Sequence, residues 1–156
     1  EHWAVAIARA IVTQRQRSAI SRTLELVDLV AAAVPRRHHP KRRHVATKVF
    51  QALRIAVNAE LSGLDQALCA ACAALRPGGR ICVISFHSLE DRIVKNVIRQ
   101  LARGCVCPPR QPVCTCGRKP QVMILTPKPM RPAQLELTNN PRARSARLRV
   151  AQRLAA

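Results

Sequence analysis

The stretch from residue 64 to residue 101 constrains the fold more than any other part of the sequence. The apolar stripe of a helix runs into Pro77-Gly78-Gly79, a combination that ends helices and turns the chain sharply. Ile81-Cys82-Val83-Ile84 is then a short continuous apolar run, the pattern of a strand buried on both faces of a parallel sheet. Ser88-x-x-Asp91 resembles a capping box and predicts that a helix begins there. This succession of elements predicts an α/β layered sheet.

Helices are predicted in the first part of the chain as well. Residues 3–13 carry apolar side chains at helical spacing, and Ser21 or Thr23 is placed to cap a second helix. The basic run at 36–44 cannot bury its charges and predicts a solvated loop. A further helical stripe follows this loop, and Gly63 predicts a kink or break within it.

Two more strands are predicted after residue 120. Residues 122–126 form one apolar segment, and Arg147-Leu148-Arg149-Val150 alternates polar and apolar side chains. That alternation is typical of a half-exposed edge strand. A proline-rich connector at 127–132 lies between the two segments.

The charge balance indicates a polyanionic partner. With 27 Lys and Arg against 8 Asp and Glu, the formal net charge is +19, and such a field concentrates polyanions near the surface. Nucleic acid is the first partner to consider and an anionic membrane the second. Because arginines or prolines interrupt every apolar run, no membrane partner is predicted. Aromatic residues make up only 2% of the chain, which disfavours a module that stacks single-stranded bases.

The cysteines indicate a reduced setting and one candidate metal site. Seven is an odd number, so full pairing within the chain is impossible. Cys105-x-Cys107 and Cys114-x-Cys116 lie in a proline-rich loop at 104–120 and are candidate zinc ligands; the alternative is free thiols, since zinc knuckles usually have C-x-x-C spacing. Three further cysteines are predicted to be small core residues: Cys69, Cys72 and Cys82.

Ser85, Phe86 and His87 are candidates for lining a pocket. They follow the predicted buried strand, and ligands of open parallel sheets bind beyond the carboxyl ends of strands. The amides at the start of the following helix suit an anion or a polar base edge. The alternative is that Ser88 merely caps the helix and His87 lies at the surface.

Three segments resemble the RsmH (MraW) methyltransferases. They are SFHSLEDRIVK at residues 85–95, TKVFQALRIAVN at 47–58 and NPRARSARLR at 140–149. The segments occur in the family's order and spacing, and the resemblance covers essentially the whole chain.

The resemblance implies an enzyme that transfers a methyl group from S-adenosylmethionine to the exocyclic N4 of a cytidine in small-subunit (16S) ribosomal RNA, in the cytoplasm. It also implies a class I (Rossmann-like) sheet interrupted by a mostly helical insertion. Residues 1–60 would be the end of this substrate-recognition insertion, and residues 61–156 the C-terminal part of the methyltransferase domain. The strand at Ile81 would be the fifth of seven, and the last two would pair antiparallel.

The family's glycine-rich donor loop and ribose-binding acid would precede the first residue of this chain. None of the five glycines forms a G-x-G loop. The resemblance therefore implies a C-terminal fragment that binds the donor poorly or not at all, has no donor-binding residues of its own, is inactive alone and has the missing N-terminal half as a partner.

Three arginines are candidates for phosphate contacts with ribosomal RNA: Arg54, Arg142 and Arg144. The alternative is a solubilising basic face. Catalysis would rest on positioning the amine and accepting its proton, with Phe86 and His87 beside the base. A rival from another class is a non-catalytic, zinc-stabilised RNA-binding or ribosomal protein, which would unfold without its metal.

Overall fold

A computed structural model describes residues 2–41, 43–108, 111 and 113–155. The chain divides into two compact units, Glu1–Glu60 and Leu61–Ala156. No helix in the described ranges is both long enough and apolar enough to cross a bilayer.

The first unit is helical. It contains α1 (Ala4–Arg17), α2 (Thr23–Ala33), a 3-10 turn (Arg36–His38) and α3 (Thr47–Asn58). Helices α1 and α2 pack against each other. Five side chains form the buried core of this unit: Ile7, Leu26, Val30, Val34 and Ala46.

The start of α2 differs from the sequence prediction, because neither Ser21 nor Thr23 caps it through a hydroxyl. Glu25 reaches back from the first turn instead. Its Oε2 accepts hydrogen bonds from the backbone N–H of Ser21 (3.0 Å) and of Arg22 (3.2 Å). A carboxylate at this position satisfies amides that the helix itself leaves unpaired.

The helical stripe that follows the basic run breaks where the sequence predicts it. Helix α3 ends at Asn58, and Ala59 takes a left-handed conformation with φ of 50°. Gly63, with φ of 72°, then precedes α4 (Leu64–Ala74). Glycine takes this conformation without the steric cost of a side chain.

The second unit is an α/β layer. After α4 come β1 (Arg80–Ser85), α5 (Ser88–Ala102), β2 (Val122–Ile124), α6 (Gln134–Asn139), a 3-10 turn (Pro141–Ser145) and β3 (Arg147–Arg153). The sheet order is β1-β3-β2. Helix α5 packs on all three strands and against α4. The buried core comes from these helices and strands: Leu68, Cys72, Val94, Val97, Ile98, Leu101, Val122 and Ala151.

Strand β1 is less buried than its apolar sequence predicts. It pairs antiparallel with β3, from Arg80 opposite Gln152 to Ser85 opposite Arg147. Ile84 is 59% exposed and Cys82 is exposed, because the described residues pack on the other face of the strand. The prediction of a parallel strand buried on both faces is therefore wrong for the part of the chain described here.

Strand β3 is central, which corrects the prediction of an edge strand. It pairs antiparallel with β1 on one side and with β2 on the other. The antiparallel pairing predicted for the last two strands is confirmed. The edge prediction failed because Arg149 occupies a polar position of the alternation and yet is buried, at 7% exposure.

Candidate functional site

The candidate pocket residues lie at one end of the sheet, next to a basic turn. Strand β1 ends at Ser85, and Phe86 and His87 lead into α5. Since Ser85 pairs with Arg147, the residues just before β3 reach the same end of the sheet. Those residues form the 3-10 turn Pro141–Ser145. The fold thus brings together two of the three segments that carry the resemblance.

His87 caps α5, in place of Ser88. Its Nδ1 accepts the backbone N–H of Glu90 (3.3 Å), and Glu90 Oε2 accepts the N–H of Phe86 (2.9 Å) and of His87 (3.2 Å). The predicted capping box of Ser88 and Asp91 is therefore placed one residue too late in the chain. The reciprocal bonds satisfy three amides at the helix start and fix the turn that carries Phe86.

The imidazole of His87 is nearly enclosed, at 9% side-chain exposure. Its Nε2 lies 3.3 Å from Glu90 Oε1, but the contact is out of line for a hydrogen bond. Among the described residues Nε2 has no hydrogen-bond partner. Because Nδ1 accepts a hydrogen bond, the proton of the neutral ring is on Nε2.

Phe86 and Ser85 face different surroundings. Phe86 is 56% exposed, an unusual position for a phenyl ring. Ser85 is buried at 4%, and its hydroxyl donates to the carbonyl of Arg147 (3.5 Å). Phe86 is therefore available for contact with a ligand, whereas Ser85 joins β1 to β3.

Asp91 forms a buried ion pair that the sequence reading missed. Arg149 donates to it from Nε (2.6 Å to Oδ1) and Nη2 (3.2 Å to Oδ2), and Arg147 donates from Nη1 (3.0 Å to Oδ2). The hydrogen bonds from Arg149, and then those from Arg147, hold the pKa of Asp91 below its ordinary value although burial opposes this. A signal was present in the sequence: Asp91 lies on the helical stripe of buried residues Val94, Ile98 and Leu101.

The predicted phosphate contacts differ in their surroundings. Arg142 and Arg144 are exposed on either side of buried Ala143, and no ion pair joins either of them to another described residue. Arg54, in the first unit, is paired with Glu60 through Nε and Oε1 at 2.9 Å. A phosphate at Arg54 would have to share the guanidinium with that carboxylate.

The four loop cysteines lie close together. Their Sγ atoms are all within 4.8 Å of one another, and none is in a disulfide. The recorded separations are 3.4 Å for Cys105–Cys114, 3.5 Å for Cys114–Cys116, 3.7 Å for Cys105–Cys116 and 3.9 Å for Cys107–Cys114. These four residues are called the cysteine cluster below. Cys69 and Cys82, in contrast, are exposed, so only Cys72 takes the predicted core position.

The thiols of the cysteine cluster lose their protons unequally. Backbone N–H groups, first that of Arg118, lower the pKa of Cys116 to about 6, and the N–H of Thr115 contributes most to the lowered pKa of Cys107. The N–H of Cys107 lowers the pKa of Cys105, but hydrogen bonds with neighbouring thiols outweigh it and raise that pKa to about 12. The hydrogen bonds within the cluster therefore favour the thiolate at Cys116 and Cys107 and the neutral thiol at Cys105.

The described residues do not fit S-adenosylmethionine. A cleft open to solvent, with room for about one water molecule (about 10 Å³), is lined by residues that include Lys95, Ile98, Thr126 and Arg149. Sites for molecules of this kind usually measure about 300–1,000 Å³. No G-x-G loop is present in the sequence to approach a nucleoside.

Comparisons with known proteins agree over the length of the chain. A family model described as the MraW methylase family matches residues 1–154. Ribosomal RNA small subunit methyltransferase H of Trichlorobacter lovleyi is 57% identical over 154 residues, covering 99% of this chain and 49% of that protein. The proteins of the same name from Heliobacterium modesticaldum and Thermomicrobium roseum are 53% and 55% identical, over 99% of this chain and 49% and 47% of theirs. The chain spans about half the length of the curated relatives it matches.

Proposed function

Because the chain belongs to the MraW methylase family of ribosomal RNA methyltransferases, we propose that it forms the C-terminal half of an enzyme that methylates the exocyclic N4 of a cytidine in 16S ribosomal RNA. The methyl donor is S-adenosylmethionine. The half of the relatives' length that this chain does not match supplies the donor site. The compartment is the cytoplasm, where the small ribosomal subunit is assembled.

The observation that carries this proposal is an exposed aromatic ring at the same end of a sheet as two exposed cations. Phe86 is 56% exposed on a turn held by Glu90. The turn with Arg142 and Arg144 leads into Arg147, the register partner of Ser85. A base stacks on an aromatic face, and guanidinium groups bind the flanking phosphates.

The residues divide into contact and positioning roles. Phe86 contacts the target base, and Arg142 and Arg144 contact phosphates. His87 and Glu90 are positioning residues, because their polar atoms hold the turn. The first unit is part of the substrate-recognition insertion, with Arg54 as a further phosphate contact that exchanges Glu60 for RNA.

The test measures methyl transfer to small ribosomal subunits by the intact polypeptide, in which this chain is joined to the segment that matches the rest of its relatives. N4-methylcytidine is identified by mass spectrometry after digestion of the RNA. Stacking of one base on an aromatic ring contributes about 1–3 kcal/mol, so Phe86→Ala should lower kcat/KM by roughly 5- to 150-fold. Phe86→Tyr and Phe86→Trp keep the stacking face and should retain most of the activity.

The phosphate contacts are tested by the salt dependence of RNA binding. Arg142→Gln/Arg144→Gln removes two contacts and should reduce the slope of log K against log salt by about 1.4 for single-stranded RNA. Arg103→Gln/Lys119→Gln is the matched control, because it removes two exposed cations near the other end of α5. Equal loss of slope in both variants, or no N4-methylcytidine from the intact polypeptide, would contradict the proposal.

A further inference from the structure

The cysteine cluster has the geometry of a metal site. Four sulfurs around one Zn²⁺ at about 2.3 Å are about 3.8 Å apart when the coordination is tetrahedral. The recorded separations run from 3.4 Å to 3.9 Å. They are far longer than the S–S bond of a disulfide, about 2.05 Å. The four thiols are therefore grouped around a common centre, and not joined in pairs.

Backbone amides also point at the sulfurs. Cys105 Sγ accepts the N–H of Cys107 (3.4 Å), and Cys116 Sγ accepts the N–H of Val106 (3.5 Å). Because of the C-x-C spacing, the amide of Cys107 faces the sulfur two residues earlier, whereas the amide of Val106 faces a sulfur of the second pair of cysteines. Such contacts disperse the negative charge of thiolates and orient them toward a metal.

Among the described residues of the loop that carries the cluster, no large apolar side chain is buried. The ends of this loop are fixed to α5: the Gln121 N–H donates to Leu101 O and Arg118 Nη2 to Gln100 O, both at 2.8 Å. Between these points Val106 and Val113 are 42% and 72% exposed. Segments without an apolar core are commonly ordered by a structural metal, whose binding energy becomes folding energy.

We propose that the cysteine cluster binds one structural Zn²⁺ in tetrahedral coordination and thereby fixes the connection between α5 and β2. Thiolate sulfur selects zinc over the hard cations Mg²⁺ and Ca²⁺. Four protein ligands close the coordination shell, so the ion is structural, with no position for a substrate. Binding releases the thiol protons to solvent. Four thiolates and one Zn²⁺ carry a net charge of −2, and Arg103 and Lys119 are exposed cations of the same loop.

The test uses the full chain, purified reduced and without chelator. Elemental analysis should give one zinc per chain, and replacement by Co²⁺ should produce the sulfur-to-metal charge-transfer and d–d bands of a tetrahedral tetrathiolate site. Cys105→Ser/Cys114→Ser removes one ligand from each pair and should abolish both signals. Cys69→Ser/Cys82→Ser is the matched control, because it removes two exposed cysteines outside the cluster and should leave both signals unchanged.

A stability measurement separates loss of metal from loss of fold. A zinc chelator should lower the Tm of the wild type and of the control variant, but leave the Tm of Cys105→Ser/Cys114→Ser unchanged. The proposal is overturned if the reduced wild type binds less than stoichiometric zinc with no cobalt spectrum. It is overturned equally if the ion bound is iron, if the thiols form disulfides in the purified reduced chain, or if the double serine variant binds zinc as the wild type does.

Discussion

Replacement of Asp91 by asparagine tests how much the buried ion pair of the second unit contributes to stability. Asp91 and Arg149 have side-chain exposures of only 9% and 8%, and the carboxylate accepts three hydrogen bonds from Arg149 and Arg147. Asparagine keeps one acceptor oxygen, but its amide group meets a guanidinium donor, and the charge of Arg149 remains buried without a counter-ion. Removing one partner of a buried pair costs about 3–5 kcal/mol. Arg147, at 32% side-chain exposure, can turn to water and should add little.

The assay is urea unfolding of the full chain followed by circular dichroism. With a slope of about 2 kcal/mol per M, the expected loss moves the midpoint of the second unit down by about 1.5–2.5 M. Fluorescence of Trp3, the only tryptophan, follows the first unit and serves as an internal reference. The paired change Asp91→Leu/Arg149→Met is measured beside Asp91→Asn, so that the reasoning is tested even where that variant does not fold. Removal of both charges should restore stability to within about 1 kcal/mol of the wild type.

Three results would refute this reasoning. A loss below about 1 kcal/mol in Asp91→Asn would mean that water reaches the pair, as at surface ion pairs. A paired variant no more stable than Asp91→Asn would mean that the ion pair itself contributes net stability beyond the cost of an isolated buried charge. Arg147→Met should cost less than about 1 kcal/mol. A larger loss would mean that Arg147, and not Arg149, makes the main interaction with Asp91.

Acid should destabilise the wild type more than Asp91→Leu/Arg149→Met. Because the folded pKa of Asp91 lies below its ordinary value of 3.8, its contribution to stability is complete above that value and is lost as pH falls through the folded pKa. Urea unfolding of both proteins between about pH 6 and pH 2 measures the difference. Glu90→Ala and Glu25→Ala each remove a carboxylate that accepts two amides at a helix start and should each cost about 0.5–2 kcal/mol by the same assay. Leu26→Ala, in the core of the first unit at 8% exposure, should cost about 2–5 kcal/mol by Trp3 fluorescence, whereas Leu24→Ala, at 72% exposure, should cost less than about 0.5 kcal/mol. Burial, and then the neighbouring Cys69, raise the pKa of Cys72, so alkylation of the native chain followed by mass spectrometry should find Cys69 and Cys82 modified well before Cys72.

The elements that the sequence predicts well are those set by neighbouring residues. Pro77-Gly78-Gly79 ends α4 and turns into β1, and the structure shows why glycines serve there. Gly78 has φ of 80°, and a Cβ on Gly79 would lie 2.9 Å from the carbonyl oxygen of Arg76. The proximity of the four loop cysteines is likewise local, because they lie within twelve residues of one another. Local constraints of this kind can be read from a single sequence.

Two of the failed predictions, those for β3 and β1, depend on residues far apart in the chain. The alternation at 147–150 predicts an edge strand only if its polar side chains reach water, and the partner that buries Arg149 is 58 residues earlier. The apolar sequence of β1 likewise does not indicate which face of the strand its neighbours cover. His87 replaced Ser88 as the cap because imidazole Nδ1 can accept an amide hydrogen bond as a hydroxyl does. No serine-based capping pattern would have included it.

Two adjacent acids explain how the start of α5 serves both the fold and the proposed site. Glu90 holds the amides of Phe86 and His87, while Asp91 holds Arg147 and Arg149 at the start of β3. Loss of methyl transfer in a Glu90 or Asp91 variant therefore does not by itself identify a catalytic group, because either change releases a segment that carries the site. Phe86 differs, since its exposed ring contributes little to the core. A Phe86→Ala variant that loses activity at wild-type stability assigns a contact with the substrate, whereas equal losses of activity and stability in Glu90 and Asp91 variants assign positioning.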